Sequence, residues 1–76
     1  MHSTHTARYR EFLKRLKAAR HAAGLTQVAA ARRLGKPQSF ISKCETGERR
    51  VDVVELADLA RLYRKSVTYF LASSAR

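Results

Sequence analysis

The residues best suited to recognition chemistry stand close together in the middle of the chain. They are spaced three and four residues apart, so they share one face of a helix. Glutamine can pair with adenine through two hydrogen bonds, lysine can approach guanine, and serine accepts or donates to either. The pattern therefore predicts base readout in double-stranded DNA, against the alternative of a solvated polar helix. The four predicted base-reading residues are Gln38, Ser39, Ser42 and Lys43.

Catalytic and metal chemistry are not expected. The three histidines are His2, His5 and His21, and none is spaced with a cysteine as in a zinc site. No Ser/His/Asp arrangement and no glycine-rich phosphate loop occur, so we predict neither an enzyme nor a cofactor. Cys44 is the single cysteine, which excludes an intrachain disulfide and suits a reducing compartment. We interpret it as a small buried thiol on the inner side of its helix.

The charge balance favours a polyanionic partner. The chain has 76 residues with 16 Lys and Arg against 6 Asp and Glu, a net charge of +10. Such a surplus concentrates phosphates near the surface. No signal peptide and no apolar run of membrane-spanning length are evident, so we expect a cytoplasmic, nucleoid-associated protein with no membrane partner.

Hydrophobic periodicity and capping residues predict five helices and no strand. The first spans 7–23 and ends at Gly24, and the second begins after Thr26 and ends at Gly35. Pro37 opens the third helix (about 37–45), and Gly47 closes it. A short fifth helix follows the fourth. The predicted organisation is a flexible tail (1–6), one domain (7–72) and a C-terminal tail (73–76).

The inner faces of the last three helices can be predicted from spacing. Helix three should bury Phe40, Ile41 and Cys44. Helix four, capped by Asp52, carries more apolar positions, all of which we expect to cover a core: Val54, Leu56, Ala57, Leu59, Ala60, Leu62 and Tyr63.

These features together resemble the lambda-repressor-like, Cro/C1-type helix-turn-helix family, also called the XRE family. The resemblance extends over roughly 12–71. It implies an all-α, compact five-helix DNA-binding domain whose second and third helices form the helix-turn-helix. The residues that carry it are Gly24-Leu25-Thr26-Gln27, Ala31, Leu34-Gly35, Ile41-Ser42, Glu45-Thr46-Gly47 and the helix from Asp52 to Tyr63.

The resemblance also implies roles for residues outside the base-reading face. Five should contact DNA phosphates, and two should form a structural clasp between helices one and three. This sequence departs from the family pattern at two positions. Lys36 stands where many members have a small hydrophobic residue, and Pro37 stands where they have a capping Ser or Thr. The implied phosphate contacts are Gln27, Lys36, Thr46, Arg49 and Arg50, and the implied clasp pairs Arg20 with Glu45.

The implied function is sequence-specific transcriptional regulation in a bacterium or phage, with a homodimer on a palindromic operator. The C-terminal apolar residues predict a dimer face, although they could all pack within one chain. The alternative function is an antitoxin-type interaction protein that neutralises a protein partner and regulates its own operon. The predicted dimer residues are Tyr63, Val67, Tyr69, Phe70 and Leu71.

Overall fold

The computed structural model describes residues 6–71, which form five helices and no strand. This confirms the all-α prediction. The predicted tails lie outside the described residues except for Thr6, as does the predicted domain end at position 72. The helices are α1 (Ala7–Ala22), α2 (Gln27–Leu34), α3 (Gln38–Thr46), α4 (Val53–Tyr63) and α5 (Val67–Leu71).

Side-chain caps explain where three of the helices begin. The hydroxyls of Thr6 and Thr26 each accept a hydrogen bond of 3.0 Å, from the backbone N–H of Tyr9 and Ala29 respectively. Thr6 is therefore the N-cap of α1. Asp52 accepts from the N–H of Glu55 at 2.7 Å, and the Glu55 carboxylate accepts from the Asp52 N–H at 3.1 Å. This reciprocal pair satisfies two N–H groups that the helix itself leaves unpaired.

Left-handed residues set the two turns that flank α3. Gly35 has φ 69° and Gly47 has φ 85°, a region in which a Cβ would clash with the backbone. The N–H of Lys36 then donates to the Ala31 carbonyl at 2.9 Å, which reverses the chain after α2. Arg64 adopts the same conformation after α4, with φ 61°, although it has a side chain.

The core forms where all five helices meet. Leu16, Ile41, Leu59 and Phe70 are each about 1% exposed. Ala31 is also buried, at the crossing of α2 and α3, where its small side chain lets the two helices approach closely. The orientation of α3 therefore depends on packing below it, since Ile41 projects into the core from its inner face.

The structure corrects part of the predicted α4 face. Leu56, Leu59, Ala60 and Tyr63 are buried as expected, but Val54 is 66% exposed and Ala57 is also exposed. The buried positions recur at steps of three and four residues and define one helical face. Val54 and Ala57 lie on the opposite face, so the prediction that they cover the core was wrong.

The structure also corrects two of the predicted dimer residues. Tyr63 and Phe70 are 2% and 1% exposed, and the Phe70 ring packs edge-on against Phe12 with ring centroids 6.3 Å apart. Their side chains are part of the core and cannot reach a second chain while the fold is intact. Val67 and Leu71 are exposed and Tyr69 is half-buried, so these three remain available at the surface.

Candidate nucleic-acid interface

The outer face of α3 presents the four predicted base-reading residues to solvent. Gln38, Ser39 and Lys43 are exposed and Ser42 is half-buried, while Phe40, Ile41 and Cys44 are buried on the inner side. Pro37 precedes the helix and makes no side-chain cap. The Phe40 N–H donates to the Pro37 carbonyl at 3.0 Å, and the N–H groups of Gln38 and Ser39 receive no side-chain cap from Pro37.

A chain of hydrogen bonds connects this face to α2 and α1. Gln38 Nε2 donates to Gln27 Oε1 at 2.7 Å, and Gln27 Nε2 donates to Glu45 Oε1 at 3.1 Å. Gln38 keeps its own carbonyl oxygen and one N–H free, which are the groups that a bidentate contact with adenine uses. The predicted base-reading and phosphate-binding glutamines are thus in direct contact, which spacing along the chain did not indicate.

Arg20 and Glu45 form the buried ion pair at the base of this chain. Arg20 Nε donates to Glu45 Oε2 at 2.6 Å, and Nη2 donates to Oε1 at 3.1 Å. Their side chains are 8% and 2% exposed. The third nitrogen, Nη1, donates to the Leu25 carbonyl at 2.8 Å, and the bond to Glu45 raises the pKa of Arg20. The pair therefore joins α1, the turn before α2, and the end of α3.

A tyrosine hydroxyl lies buried near the same pair without a partner. Tyr63 Oη makes no hydrogen bond to any of residues 6–71. Burial raises the pKa of Tyr63, and the charge of Glu45 raises it further, whereas Arg20 lowers it. The hydroxyl consequently stays protonated, and it has lost its hydration without gaining a hydrogen bond.

Arg49 is held within the domain. It binds Glu55 through two hydrogen bonds of 2.7 Å and donates to the Arg50 carbonyl at 3.0 Å. Its guanidinium carbon also lies 5.0 Å from the centroid of the Phe40 ring. The guanidinium of Arg49 therefore has three partners within the domain, Glu55, Arg50 and Phe40, and Glu55 neutralises its charge. The geometry favours a role in fixing the loop after α3 over a phosphate contact.

The other predicted phosphate residues surround α3 in different ways. The Arg50 guanidinium carbon lies 4.4 Å from the Tyr9 ring centroid, and Lys36 Nζ lies 5.2 Å from the Phe40 ring. Thr46 uses its hydroxyl locally, since it donates to the Lys43 carbonyl and accepts from the Glu48 N–H, both at 3.3 Å. Lys36 and Arg50 are therefore exposed cations, one before α3 and one after it.

Three residues position this surface through contacts that the sequence patterns did not predict. Phe40 supports Lys36 and Arg49, and Tyr9 supports Arg50 and accepts from the Val51 N–H at 3.1 Å. Glu55 holds both Arg49 and the start of α4. The Asp-x-x-Glu spacing from position 52 was a detectable signal for Glu55. The contacts of Tyr9 involve residues about forty positions away, which local patterns do not reveal.

Metal and thiol chemistry find no support among residues 6–71. No group of three or more His, Cys, Asp or Glu side chains in that range could hold a metal ion. Cys44 is 1% exposed, and burial raises its pKa to about 11, so the reactive thiolate is scarce at neutral pH. No helix in the same range is long and apolar enough to span a membrane.

Comparison with known proteins identifies the family of this chain. A helix-turn-helix domain model matches residues 11–68. A solved structure described as an XRE-family like protein from Pseudomonas syringae pv. tomato strain DC3000 is 48% identical, with a TM-score of 0.80 over 87% of this chain and 80% of that one. The chain belongs to the XRE-type helix-turn-helix family. No match was found among curated proteins.

Membership of the XRE-type family makes the outer face of α3 the candidate DNA-contacting surface. In a helix-turn-helix, the second helix enters the major groove and its N-terminal residues contact base edges. The family assignment supports a DNA-binding regulator, and such regulators are typically not enzymes. In this XRE-type chain, Gln38 lies in the first turn of that helix and in contact with Gln27.

Proposed function

We propose that this protein is a sequence-specific transcriptional regulator that binds an operator in double-stranded DNA as a homodimer. It acts in the cytoplasm on nucleoid DNA. Gln38, Ser39, Ser42 and Lys43 read bases from α3, while Gln27, Lys36, Thr46 and Arg50 bind phosphates around it. Arg49 belongs to the scaffold of this surface because its guanidinium is paired with Glu55.

The observation that carries the proposal is the 2.7 Å hydrogen bond between Gln38 and Gln27. Gln27 occupies the first position of α2, where the positive end of the helix dipole favours a phosphate. This hydrogen bond therefore joins the proposed phosphate-binding glutamine to the proposed base-reading glutamine. Because the two amides are already aligned, little side-chain entropy is lost when both contact DNA.

The test is selection from random duplex DNA at physiological salt, followed by sequencing of the bound pool. The wild type should enrich a palindrome whose half-sites lie about 34 Å apart or a multiple of that distance. Gln38→Ala should lose preference at one base pair per half-site, at about 1–3 kcal/mol. Lys36→Ala should weaken binding to all sequences alike, because phosphate contacts carry no sequence information.

A double-mutant cycle isolates the contact between the two glutamines. Gln27→Ala and Gln38→Ala should be non-additive, with a coupling of about 0.5–3 kcal/mol on the selected operator. Additive losses would mean that the two amides act independently on DNA. Binding without any enriched motif would contradict sequence-specific regulation.

An antitoxin-type interaction protein is the second candidate function, and one observation favours it. Val53 and Val54 are 77% and 66% exposed on the solvent side of α4, where base reading has no use for them. Adjacent exposed apolar residues are typical of protein contact sites. Two results together would favour this second function. The protein would bind duplex DNA without sequence preference, and Val54→Asp would leave its DNA affinity unchanged.

A further inference from the structure

The outer side of α1 carries a row of basic residues that the proposed interface does not use. We define the α1 basic stripe as Arg10, Lys14, Lys17 and His21, all of which are exposed. At 100° per residue, these four positions fall within about 60° of the helix circumference. From Arg10 to His21 the helix advances by eleven residue steps, which is about 16 Å along its axis. The stripe is therefore one narrow line of positive charge and hydrogen-bond donors.

Within residues 6–71, acidic side chains do little to neutralise Lys14, Lys17 and His21 of the stripe. Glu11 is the single acid of α1, and it pairs mainly with Arg15, which lies on a different side of the helix, at 3.2 Å. Its contact with Lys14 is longer, at 3.6 Å, and highly exposed. The structure gives Lys17 and His21 no ion-pair or hydrogen-bond partner within residues 6–71. A partner with regularly spaced negative charge would satisfy this row.

The stripe adjoins the base-reading helix. Lys14, Lys17 and His21 line a shallow groove of about 330 Å³ whose opposite wall includes Glu45 at the end of α3. Glu45 lies seven residues after Gln38, which places both on nearly the same side of α3. The stripe consequently borders the side of α3 that carries Gln38, and not the side that carries Phe40, next to which Lys36 and Arg49 lie.

From this placement we infer that the α1 basic stripe binds the phosphate backbone of duplex DNA that flanks the base-reading contacts. The inference rests on the proposed function and extends its footprint by one backbone segment. An axial length of about 16 Å corresponds to about five base pairs at 3.4 Å each. The contact adds affinity and salt dependence but no base preference, because it meets phosphates alone.

The composition of the stripe favours nucleic acid over an acidic protein. Protein contact sites depend on buried aromatic or arginine anchors in a fitted pocket. The groove beside the stripe instead contains Leu13, which is half-buried, and the small side chain of Ala18. A row of flexible basic side chains, three of them Arg or Lys, without an apolar anchor suits the regular charge of a phosphate backbone.

The experiment compares two charge variants in DNA-binding titrations. Lys14→Gln with Lys17→Gln removes two cations from the stripe. The matched control, Arg61→Gln with Arg64→Gln, removes two exposed cations from the far end of α4, about 16 Å along that helix from the loop containing Arg50. Thermal unfolding followed by circular dichroism shows that each variant is folded. Binding to a selected duplex with flanks of ten base pairs is then measured from 50 to 200 mM salt.

The stripe variant should lower the slope of log affinity against log salt by about 2 for each bound chain, and so by about 4 for the homodimer on its palindrome, since each phosphate contact contributes about 0.9. The control should leave the slope unchanged. The DNA flank is then shortened one base pair at a time. The affinity of the wild type should fall at the length where the phosphates opposite the stripe are removed. The affinity of the stripe variant should not fall at that length.

Three outcomes would overturn the inference. An unchanged slope in the stripe variant, with normal wild-type binding, would refute the stripe contact and leave the proposed function intact. An equal fall in the control would assign the effect to total charge. Failure of the wild type to bind any duplex would instead refute the proposed function, and the stripe contact with it.

Discussion

Arg49 and Glu55 form a bidentate ion pair, with both nitrogen–oxygen distances at 2.7 Å, that ties the loop after α3 to the first turn of α4. Glu55 also accepts from the Asp52 N–H, so one carboxylate holds both the loop and the helix cap. The Phe40 ring lies beside the guanidinium. The pair thereby sets the path of the chain next to the recognition helix.

Stability should depend on this pair in a pH-dependent way. The hydrogen bonds from Arg49, together with that from Asp52, lower the pKa of Glu55 below its ordinary value of 4.5. A carboxylate whose pKa is lower in the folded state stabilises the fold above its unfolded pKa, and this contribution is lost as pH falls through the folded pKa. We therefore expect Glu55→Gln to be destabilising at pH 7 and much less so at pH 3.

Urea unfolding of wild type and Glu55→Gln at the two pH values measures this difference. Glu48→Gln serves as the control, because Glu48 is an exposed acid of the same loop for which the structure gives no side-chain ion pair. An equal loss of stability for Glu55→Gln at pH 7 and pH 3 would contradict the ion-pair explanation.

Removal of one member of the buried clasp should cost far more than removal of a surface charge. Arg20→Met leaves Glu45 buried without its main donor, an effect of about 3–5 kcal/mol. The whole domain has a stability on the order of 4–11 kcal/mol, so the variant would lose a large share of its free energy of unfolding. Thermal and urea unfolding check this expectation.

The double variant Arg20→Met with Glu45→Met distinguishes a buried charge from simple lost packing. It should recover part of the stability lost by the single variant, because no uncompensated charge remains. Its DNA preference should nevertheless weaken, since Gln27 loses the Glu45 acceptor that orients it. A double variant as unstable as Arg20→Met would argue against an electrostatic origin.

Removal of the unpartnered Tyr63 hydroxyl should not lower the free energy of unfolding, in contrast to removal of Arg20. Tyr63→Phe removes a buried group that has no hydrogen bond within residues 6–71, so we expect unchanged stability or a gain of about 1 kcal/mol. Tyr63→Ala should lose about 3–5 kcal/mol, because it opens a cavity in the core. A loss of more than 1 kcal/mol in Tyr63→Phe would indicate that the hydroxyl has a hydrogen-bond partner in solution.

The dimer prediction now depends on the exposed side of α5. Val67→Asp with Leu71→Asp should shift a dimer to a monomer in sedimentation equilibrium and weaken binding to the full palindrome more than to one half-site. Val53→Asp on α4 is the matched control and should leave the oligomeric state unchanged. A monomeric wild type at tens of micromolar would refute the dimer face.

The sequence by itself determined the helices and their ends. Thr26 and Asp52 are short polar residues directly before helical segments, and Gly35 and Gly47 follow such segments, so local chemistry placed these boundaries. Helical spacing also placed Phe40, Ile41 and Cys44 inside and Gln38 outside. The resemblance added the pairing of Arg20 with Glu45, whose geometry is as expected for a clasp.

Only the tertiary structure decided which polar residues contact one another and which apolar ones remain exposed. Gln38 meets Gln27, and Arg50 meets Tyr9, because the packing of α1, α2 and α3 brings together positions eleven and about forty residues apart. Val54 and Tyr63 are both apolar and lie on opposite sides of α4, and the contact of α4 with the core decides that the side with Tyr63 is buried. Local propensity is a property of neighbouring residues, whereas these contacts depend on how whole helices pack.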